Sequence, residues 1–395
     1  MTTTMHAKTM TSPEILGFPE HTLEAKGALW TAREIAQQPR MLERTHAMVA
    51  QMHAQLRAFA GPLVDDPRAR VILAGAGTSA YIGQCLAPLL DRALAARVDA
   101  VPTTDIVCAP TLYLDPAQPL LLVSFGRSGN SPESLAAVEL AESLVDDVRH
   151  LVVTCNPAGA LARVPVAQAM TILLPEETHD TSFAMTSSFS CMMYATAAAL
   201  LPAGTLDARI GPIAAATAQV IDASLPLLHT LADVRHDRVV YLGSGLLQGL
   251  AREATLKLGE LTNGAVATCY DSPLGFRHGP KTFLTDRTLV LVFVSNDPYT
   301  RRYDQDLIDE LRREGSAARV VEITARPRSD AAADVMVVAG LEDAPDLDLS
   351  WPYIAIAQIH ALLHSLARGV TPDNPNPAGI VNRVVQGVQL YALDA

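Results

Sequence analysis

Cysteine is sparse and scattered. Cys85, Cys108, Cys155, Cys191 and Cys269 form no C-x-x-C pair and are odd in number, which excludes a thiolate metal centre or a disulfide framework and points to a reducing cytoplasm. Positive charge is also short. Lys and Arg number 30 against 42 Asp and Glu, a formal net charge of −12 with no basic block to offset it, so no nucleic acid and no membrane surface is expected as a partner. Long apolar runs are missing. The most apolar stretch, "FSCMMYATAAALLPAG", breaks at Pro202, short of the ~20 residues a membrane helix needs, and reads as a buried core helix. The opening "MTTTMHAKTMTSPEILGF" has no apolar segment of signal-peptide type, so no secretory leader is expected. Few aromatics, 5%, beside 49% hydrophobic residues in a 395-residue chain describe a soluble α/β protein of two domains.

The stretch "TAREIAQQPRMLERTHAMVAQMHAQLRAFAG" has a helical period, with Met41, Met48, Met52, Leu56 and Phe59 on one face and Gly61-Pro62 as its predicted end. From residue 70 the pattern becomes strand, glycine turn, helix, strand: "RVILAGAG", a helix from about Ser79 to Ala95, "LLLVSFG", a helix from about Ser131 to Leu144, then "HLVVTCNP". Apolar runs without alternation, separated by helices, imply parallel strands covered on both faces. The order then returns. "RVVYLGSG", "LVLVFVS" and "RVVEITARP" repeat the three strands roughly 170 residues on, so two copies of one α/β domain are expected.

Two turns of the first copy carry polar clusters. "GAGTSA", Gly75 to Ala80, satisfies the dinucleotide pattern, with Asp99 placed where a ribose-binding acid could stand. The next strand, however, ends in "SFGRSGNS", which gathers Ser124, Arg127, Ser128 and Ser131 before a helix. Backbone N–H groups at a helix start, hydroxyls and one guanidinium suit a terminal phosphate. Capping of the helix explains Ser131 followed by Pro132, but not Arg127, Ser128 or the neighbouring Thr78-Ser79 pair. The cluster favours a monophosphate ester over a dinucleotide.

The second copy has "VSNDPYTRR" at the matching turn, so one phosphate site per chain is expected. It offers instead a helix with Glu253, Lys257 and Glu260 in a charged stripe, followed by a loop histidine, His278, held by Gly279-Pro280. Taken alone, Glu253 and Lys257 read as a solvated i, i+4 surface pair. His360 and His364, one helical turn apart in an apolar helix, read as packing residues, and no metal is expected.

"GAGTS", "SFGRSGNS", "ATLKLGEL" and "FRHGPKTFL" together resemble the sugar isomerase (SIS) family, whose double-domain members include the isomerase half of glucosamine-6-phosphate synthase. "REIAQQP", residues 33–39, resembles a segment ahead of the first SIS domain there. "TAREIAQQPR", "DTSFAMTSSF" and "PDNPNPAGIVNRVVQGVQLY" are similar to the AgaS-type group, galactosamine-6-phosphate deaminase/isomerases also described as tagatose-6-phosphate ketose/aldose isomerases. With no glutamine amidotransferase segment ahead of it, glucosamine synthesis from glutamine is not expected.

The resemblance implies two tandem SIS domains, each a three-layer α/β/α unit. Residues 1–60 would be a helical segment, 61–230 the phosphate-binding domain, 231–371 the domain of the catalytic Glu and His, and 372–395 a tail over the active site. Thr78, Ser79, Arg127, Ser128 and Ser131 would bind phosphate. Glu260 would carry the proton between C1 and C2, His278 open the sugar ring, and Lys257 support the base. Ser182 and Thr186 are candidates for the sugar, as is Arg383, which stands where the synthase has a lysine: charge is kept, Schiff-base chemistry is not. A second departure is Ser187, where the synthase has lysine. The implied activity is conversion of galactosamine 6-phosphate to tagatose 6-phosphate and ammonia in a cytoplasmic homodimer or larger homo-oligomer, without cofactor. Simple aldose–ketose isomerisation needs the same residues. A non-catalytic sugar-phosphate sensor would not need Glu260 and His278 together.

Overall fold

The computed structural model describes residues 14–328, 334–385 and 387–393; the first 13 residues of the predicted helical segment, and Gln386, Asp394 and Ala395 of the predicted tail, lie outside this set. A short hairpin, β1 (Glu14–Ile15) and β2 (Phe18–Pro19), which the sequence pattern did not signal, precedes α1 (Glu20–Ala25), α2 (Leu29–Ala36) and α3 (Gln38–Val64). The first α/β unit follows: β3 (Arg70–Ala74), α4 (Thr78–Ala93), β4 (Arg97–Ala100), α5 (Thr103–Cys108), α6 (Pro110–Tyr113), β5 (Leu120–Gly126), α7 (Pro132–Leu144), β6 (Val148–Thr154) and β7 (Ala169–Leu173). Helices α8 (Ser187–Leu200), α9 (Ile210–Ala223) and α10 (Leu225–Val234) lead to the second unit. It comprises β8 (Arg238–Gly243), α11 (Leu246–Leu261), β9 (Ala267–Asp271), α12 (Pro273–Phe276), β10 (Thr288–Phe293), α13 (Thr300–Glu314), β11 (Arg319–Thr324), β12 (Val335–Val337) and α14 (Asp346–Ala367).

Both five-stranded sheets are parallel throughout, ordered β4-β3-β5-β6-β7 and β9-β8-β10-β11-β12. The repeat read from the sequence is thus a repeat of topology. Central strands are buried along their length, as β5 and β10 show, because helices cover both faces. The largest apolar cluster lies between the sheets and takes in α3, α4, α8, α9, α11 and α14. Smaller clusters sit under α5 and α7 on one outer face, and under α12 and α13 on the other. Among the described residues, no single helix is long and apolar enough to cross a membrane.

One predicted boundary fails. Helix α3 continues through Gly61-Pro62 to Val64. A proline ring removes one backbone bond but holds φ near the helical value, and buried Leu63 and Val64 keep the last turn packed.

At the centre, α4 and α11 cross closely. A Cβ on Gly249 would lie 2.8 Å from the Cys85 nitrogen, so only glycine permits this approach of the two backbones. That crossing sets the first turn of α4 against the middle of α11.

Candidate active site

The turns after β3 and β5 flank the point where the first sheet reverses its strand order, the position at which open parallel sheets take ligands. Gly77 adopts φ +56°, and a Cβ on Gly75 would lie 2.6 Å from Ser79, so the chain passes at once from strand to helix. Between the turns lies a cavity of about 120 Å³, lined by Ser79, Arg127, Ser128, Ser131 and Ser134. The Ser131 hydroxyl donates to Glu133 at 2.7 Å and does not cap α7. Beneath the turn, the buried Ser124 hydroxyl has no protein partner among the described residues.

Arg127 is 6% exposed. Its Nη1 donates to the carbonyls of Ser182 at 3.2 Å and Phe183 at 3.0 Å, and its Nη2 to that of Arg383 at 3.2 Å. A guanidinium has five donors, so these three bonds leave two over, and the residue lines the serine cavity. Burial and the nearby Arg383 disfavour its charge, while the fields of Asp180 and Glu260 support it.

Thr78 is not in that lining. Its hydroxyl crosses between the domains and donates to Glu253 at 3.3 Å. Glu253 lies 3.5 Å from the Lys257 ammonium, which lies 2.5 Å from Glu260. The surface-pair reading of Glu253 and Lys257 is therefore wrong: both side chains are fully buried, because α4 covers the face of α11 that carries them. Burial pushes the Glu253 carboxyl up to about 8, against the opposing field of Lys257. For Lys257, burial disfavours the ammonium, but the two carboxyls beside it, of Glu253 and Glu260, outweigh that and favour the protonated amine. The arrangement is a charged Lys257–Glu260 pair with Glu253 as a neutral acid behind it. Glu260 reaches a second cavity, of about 640 Å³, where the Arg252 guanidinium sits 4.6 Å from the Tyr81 ring centroid and 5.4 Å from that of Tyr270.

Ser182 and Thr186 are brought to neither cavity lining. The Ser182 hydroxyl is bonded to the Glu34 carboxyl and donates to the Ala184 carbonyl at 3.1 Å. Thr186 is buried at the start of α8, where Asp180 accepts its backbone N–H at 2.8 Å, the Ser188 N–H at 2.9 Å and the hydroxyls of Ser187 and Ser188. Arg383 does line the serine cavity, with its guanidinium on the Asp180 carbonyl. Farther back in the tail, Pro375, Asn376 and Val381 line the Glu260 cavity.

His278 is exposed and lines neither cavity of its own chain. Its loop is nevertheless anchored. Arg277 pairs with Glu310 and with Asp306, the latter at 2.8 Å, and Lys281 with Glu310 and Glu314, all on α13.

In the second copy, donors at the matching turns are taken by the protein's own carboxylates. Asp304 accepts from the Ser244 hydroxyl at 2.5 Å and the Ser295 N–H at 2.9 Å, and Asp346 from the Ser295 hydroxyl at 2.6 Å and the Asn296 N–H at 2.7 Å. Asp99, placed in the sequence where a dinucleotide's ribose-binding acid could stand, pairs with Arg70 at 2.6 Å and Arg97 at 3.0 Å. His360 and His364 are buried, the first bonded to the Tyr241 hydroxyl at 2.7 Å and the second to Arg368 at 2.9 Å. Among the described residues, no cluster of three or more His, Cys, Asp and Glu is arranged for a metal ion.

The sequence reading did not single out Glu34 or Asp180, and it undervalued Glu253. The 253/257/260 spacing was available as a signal for Glu253; nothing local distinguishes Glu34.

This is a double-domain α/β protein whose two halves meet at α4 and α11 and carry different residues at their matching turns. The chain belongs to the SIS domain family, whose model matches residues 66–202 and 231–366. It is 45% identical over 390 residues to a D-galactosamine-6-phosphate deaminase AgaS of Escherichia coli, covering 95% of this chain and 100% of that protein. A D-galactosamine-6-phosphate deaminase AgaS of Shewanella sp. strain ANA-3 is 46% identical over 92% of each chain. A solved structure of tagatose-6-phosphate ketose/aldose isomerase from Escherichia coli aligns with a TM-score of 0.83 at 43% identity, over 93% of this chain and 97% of that one.

Proposed function

We propose that the protein is an amino-sugar 6-phosphate deaminase/isomerase that converts galactosamine 6-phosphate and water to tagatose 6-phosphate and ammonia. The observation that carries the reading is the unbroken chain Thr78–Glu253–Lys257–Glu260, which ties the first turn of α4, whose Ser79 lines the serine cavity, to a carboxylate of the other domain. The first domain holds the phosphate through Ser79, Ser128, Ser131 and the two free donors of Arg127, with the α7 N-terminus favouring the anion. The second supplies acid–base chemistry.

In the open-chain sugar, Glu260 takes the proton from C2, and the electron pair forms a C1–C2 double bond while the C1 carbonyl becomes a hydroxyl. Lys257 holds the base in place. Return of the proton to C1 leaves an iminium at C2. Water adds there and ammonia departs, so the oxygen of water becomes the ketone of the product. Glu253, protonated near neutral pH, is the group able to pass a proton to the site through Lys257. No step requires a metal or cofactor.

Ring opening is assigned to His278 of a second copy of the chain, since that side chain is exposed on an anchored loop and outside both cavities of its own subunit. A homodimer follows from this assignment. Simple aldose–ketose isomerisation is the second reading, favoured by the isomerase designation of the structural relative. One assay separates them: wild type and Glu260→Gln given galactosamine 6-phosphate, with ammonia and ketose measured independently. Equal ammonia and ketose from wild type, and at least a hundredfold less of both from the variant, support the deaminase. Ketose without ammonia overturns it in favour of the isomerase, and binding without turnover leaves a sensor.

A further inference from the structure

Glu34 has no part in the chemistry just described, yet its surroundings are unusual for an acid near the amino terminus. It is 4% exposed on α2. Its carboxyl accepts the backbone N–H groups of Thr181 and Ser182 and bonds the Ser182 hydroxyl. The carbonyls of that same segment, at Ser182 and Phe183, hold Arg127. The Phe183 N–H donates to the Asp373 carbonyl, and the Asp373 carboxylate returns to α2, where it accepts the N–H groups of Trp30 and Thr31 and the Thr31 hydroxyl. Arg383 closes the ring, bonded through its guanidinium to Asp180 and through its carbonyl to Arg127. Helix α2, the 180–183 segment, the phosphate turn and the carboxyl-terminal tail thus form one circuit of hydrogen bonds.

We propose that Glu34 is a positioning residue for the phosphate site: by holding the 180–183 segment it fixes the Ser182 and Phe183 carbonyls, two of the three that hold the Arg127 guanidinium at the serine cavity. The inference rests on the phosphosugar reading of the serine turn. It identifies a control point outside both α/β units.

The carboxyl acts in its neutral form. Burial, with the field of Asp180, raises it to about 8. As a neutral acid it donates to the Ser182 oxygen, which passes its own hydrogen to Ala184 at 3.1 Å, while the other oxygen accepts the two N–H groups. Ionisation removes the first donor and sets a second negative charge beside Asp180. Of the other charged or titratable groups on neighbouring elements, Arg33 is drawn to Glu20 and Arg44 to Glu177, Asp373 is held by α2 N–H groups and the Thr31 hydroxyl, and Arg383 by the Asp180 carbonyl. Burial keeps His179 neutral. Arg127 remains as the cation in its field.

The test uses galactitol 6-phosphate, which lacks a carbonyl and is not turned over, titrated calorimetrically into wild type, Glu34→Ala and Glu34→Gln at pH 7 and pH 9.5. The phosphate, with its second pKa near ~6, is a dianion at both. Expected are a Kd at least tenfold weaker for Glu34→Ala at pH 7, recovery of most of that loss by the isosteric Glu34→Gln, and a several-fold alkaline weakening in wild type that Glu34→Gln lacks. If Glu34→Ala does not fold by circular dichroism, the pH profile of Glu34→Gln decides. A purely structural role would lower the melting temperature and leave the pH dependence of Kd in place. Affinity in Glu34→Ala within threefold of wild type, or the same alkaline loss in Glu34→Gln, overturns the inference and spares the site. Absence of binding by wild type overturns both.

Discussion

Thr78, in the first turn of α4, donates a 3.3 Å hydrogen bond to Glu253, 175 residues later on α11. The first turn of α4, whose Ser79 lines the serine cavity, and helix α11 are thereby fixed to each other through backbones that meet at Gly249, with no loop between them. A reacting carbon held by its phosphate must present the same hydrogen to the same carboxylate each turn, and rigid elements place such groups better than loops do.

Lys257 is the most sensitive member of that chain. Replacing it by methionine leaves the buried Glu253 and the part-exposed Glu260 without their shared cation, and breaking a buried pair costs about 3–5 kcal/mol. Urea unfolding of Lys257→Met is expected to show a loss of that size, with turnover at least a hundredfold lower. Glu253→Gln should behave differently: amide replaces neutral acid, so stability at pH 7 stays within about 1 kcal/mol of wild type while kcat falls. Equal destabilisation by both changes would contradict a neutral Glu253.

The position of His278 gives a prediction that does not depend on the sugar's identity. Glu260→Gln and His278→Asn are each expected to be inactive alone. If the histidine serves the neighbouring subunit of a two-fold dimer, a hybrid carries one intact site. An equal mixture after subunit exchange then recovers about one quarter of wild-type activity. No recovery in a mixture shown to contain hybrids would place His278 outside the reaction or within its own chain.

Carboxylates of Asp304 and Asp346 already hold the donors of the second copy's turns, so phosphosugar binding is expected to saturate at one ligand per chain. Asp346→Asn should leave ligand affinity unchanged and lower the melting temperature, because Ser295 and Asn296 lose a charged acceptor. Titration to two ligands per chain in wild type would refute this account.

The sheets were legible because their centres are fully buried, so apolar runs such as 120–125 and 288–293 need no alternation to be recognised. The serine turn was legible because its residues are contiguous. Glu253 was harder: an Glu–Lys stripe on a helix looks the same whether water or another domain covers it, and the cover, α4, comes from the other half of the chain. Glu34 was not legible at all. Its significance comes from Ser182, 148 residues away, and through that segment from Arg127, a relation set by tertiary packing alone. Pro62 misled for a related reason, since burial of the last turn overrode the local stop signal.

Stability should fall on both sides of neutrality, for different buried groups. His364 is held down to about 3 by burial and by the charges of Arg368 and His236, and His360 and His236 are lowered chiefly by burial. A histidine depressed in the fold is neutral there while the unfolded chain takes up a proton, so stability is full above about 6.5 and falls as pH drops toward 3. The slope is about 1.4 kcal/mol per pH unit for one such group. Glu253 works in the opposite sense: with its carboxyl raised to about 8, its contribution is complete below the ordinary carboxylate range near ~4.3 and declines as pH rises through 8. Between those limits the two trends oppose, so unfolding midpoints in urea should peak near neutral pH. Glu253→Gln is expected to make the alkaline arm shallower, Glu34 carrying the rest, and His364→Gln to make the acid arm shallower without changing the slope above about 6.5. An acid arm unchanged in His364→Gln would show that this histidine is not kept neutral by the fold.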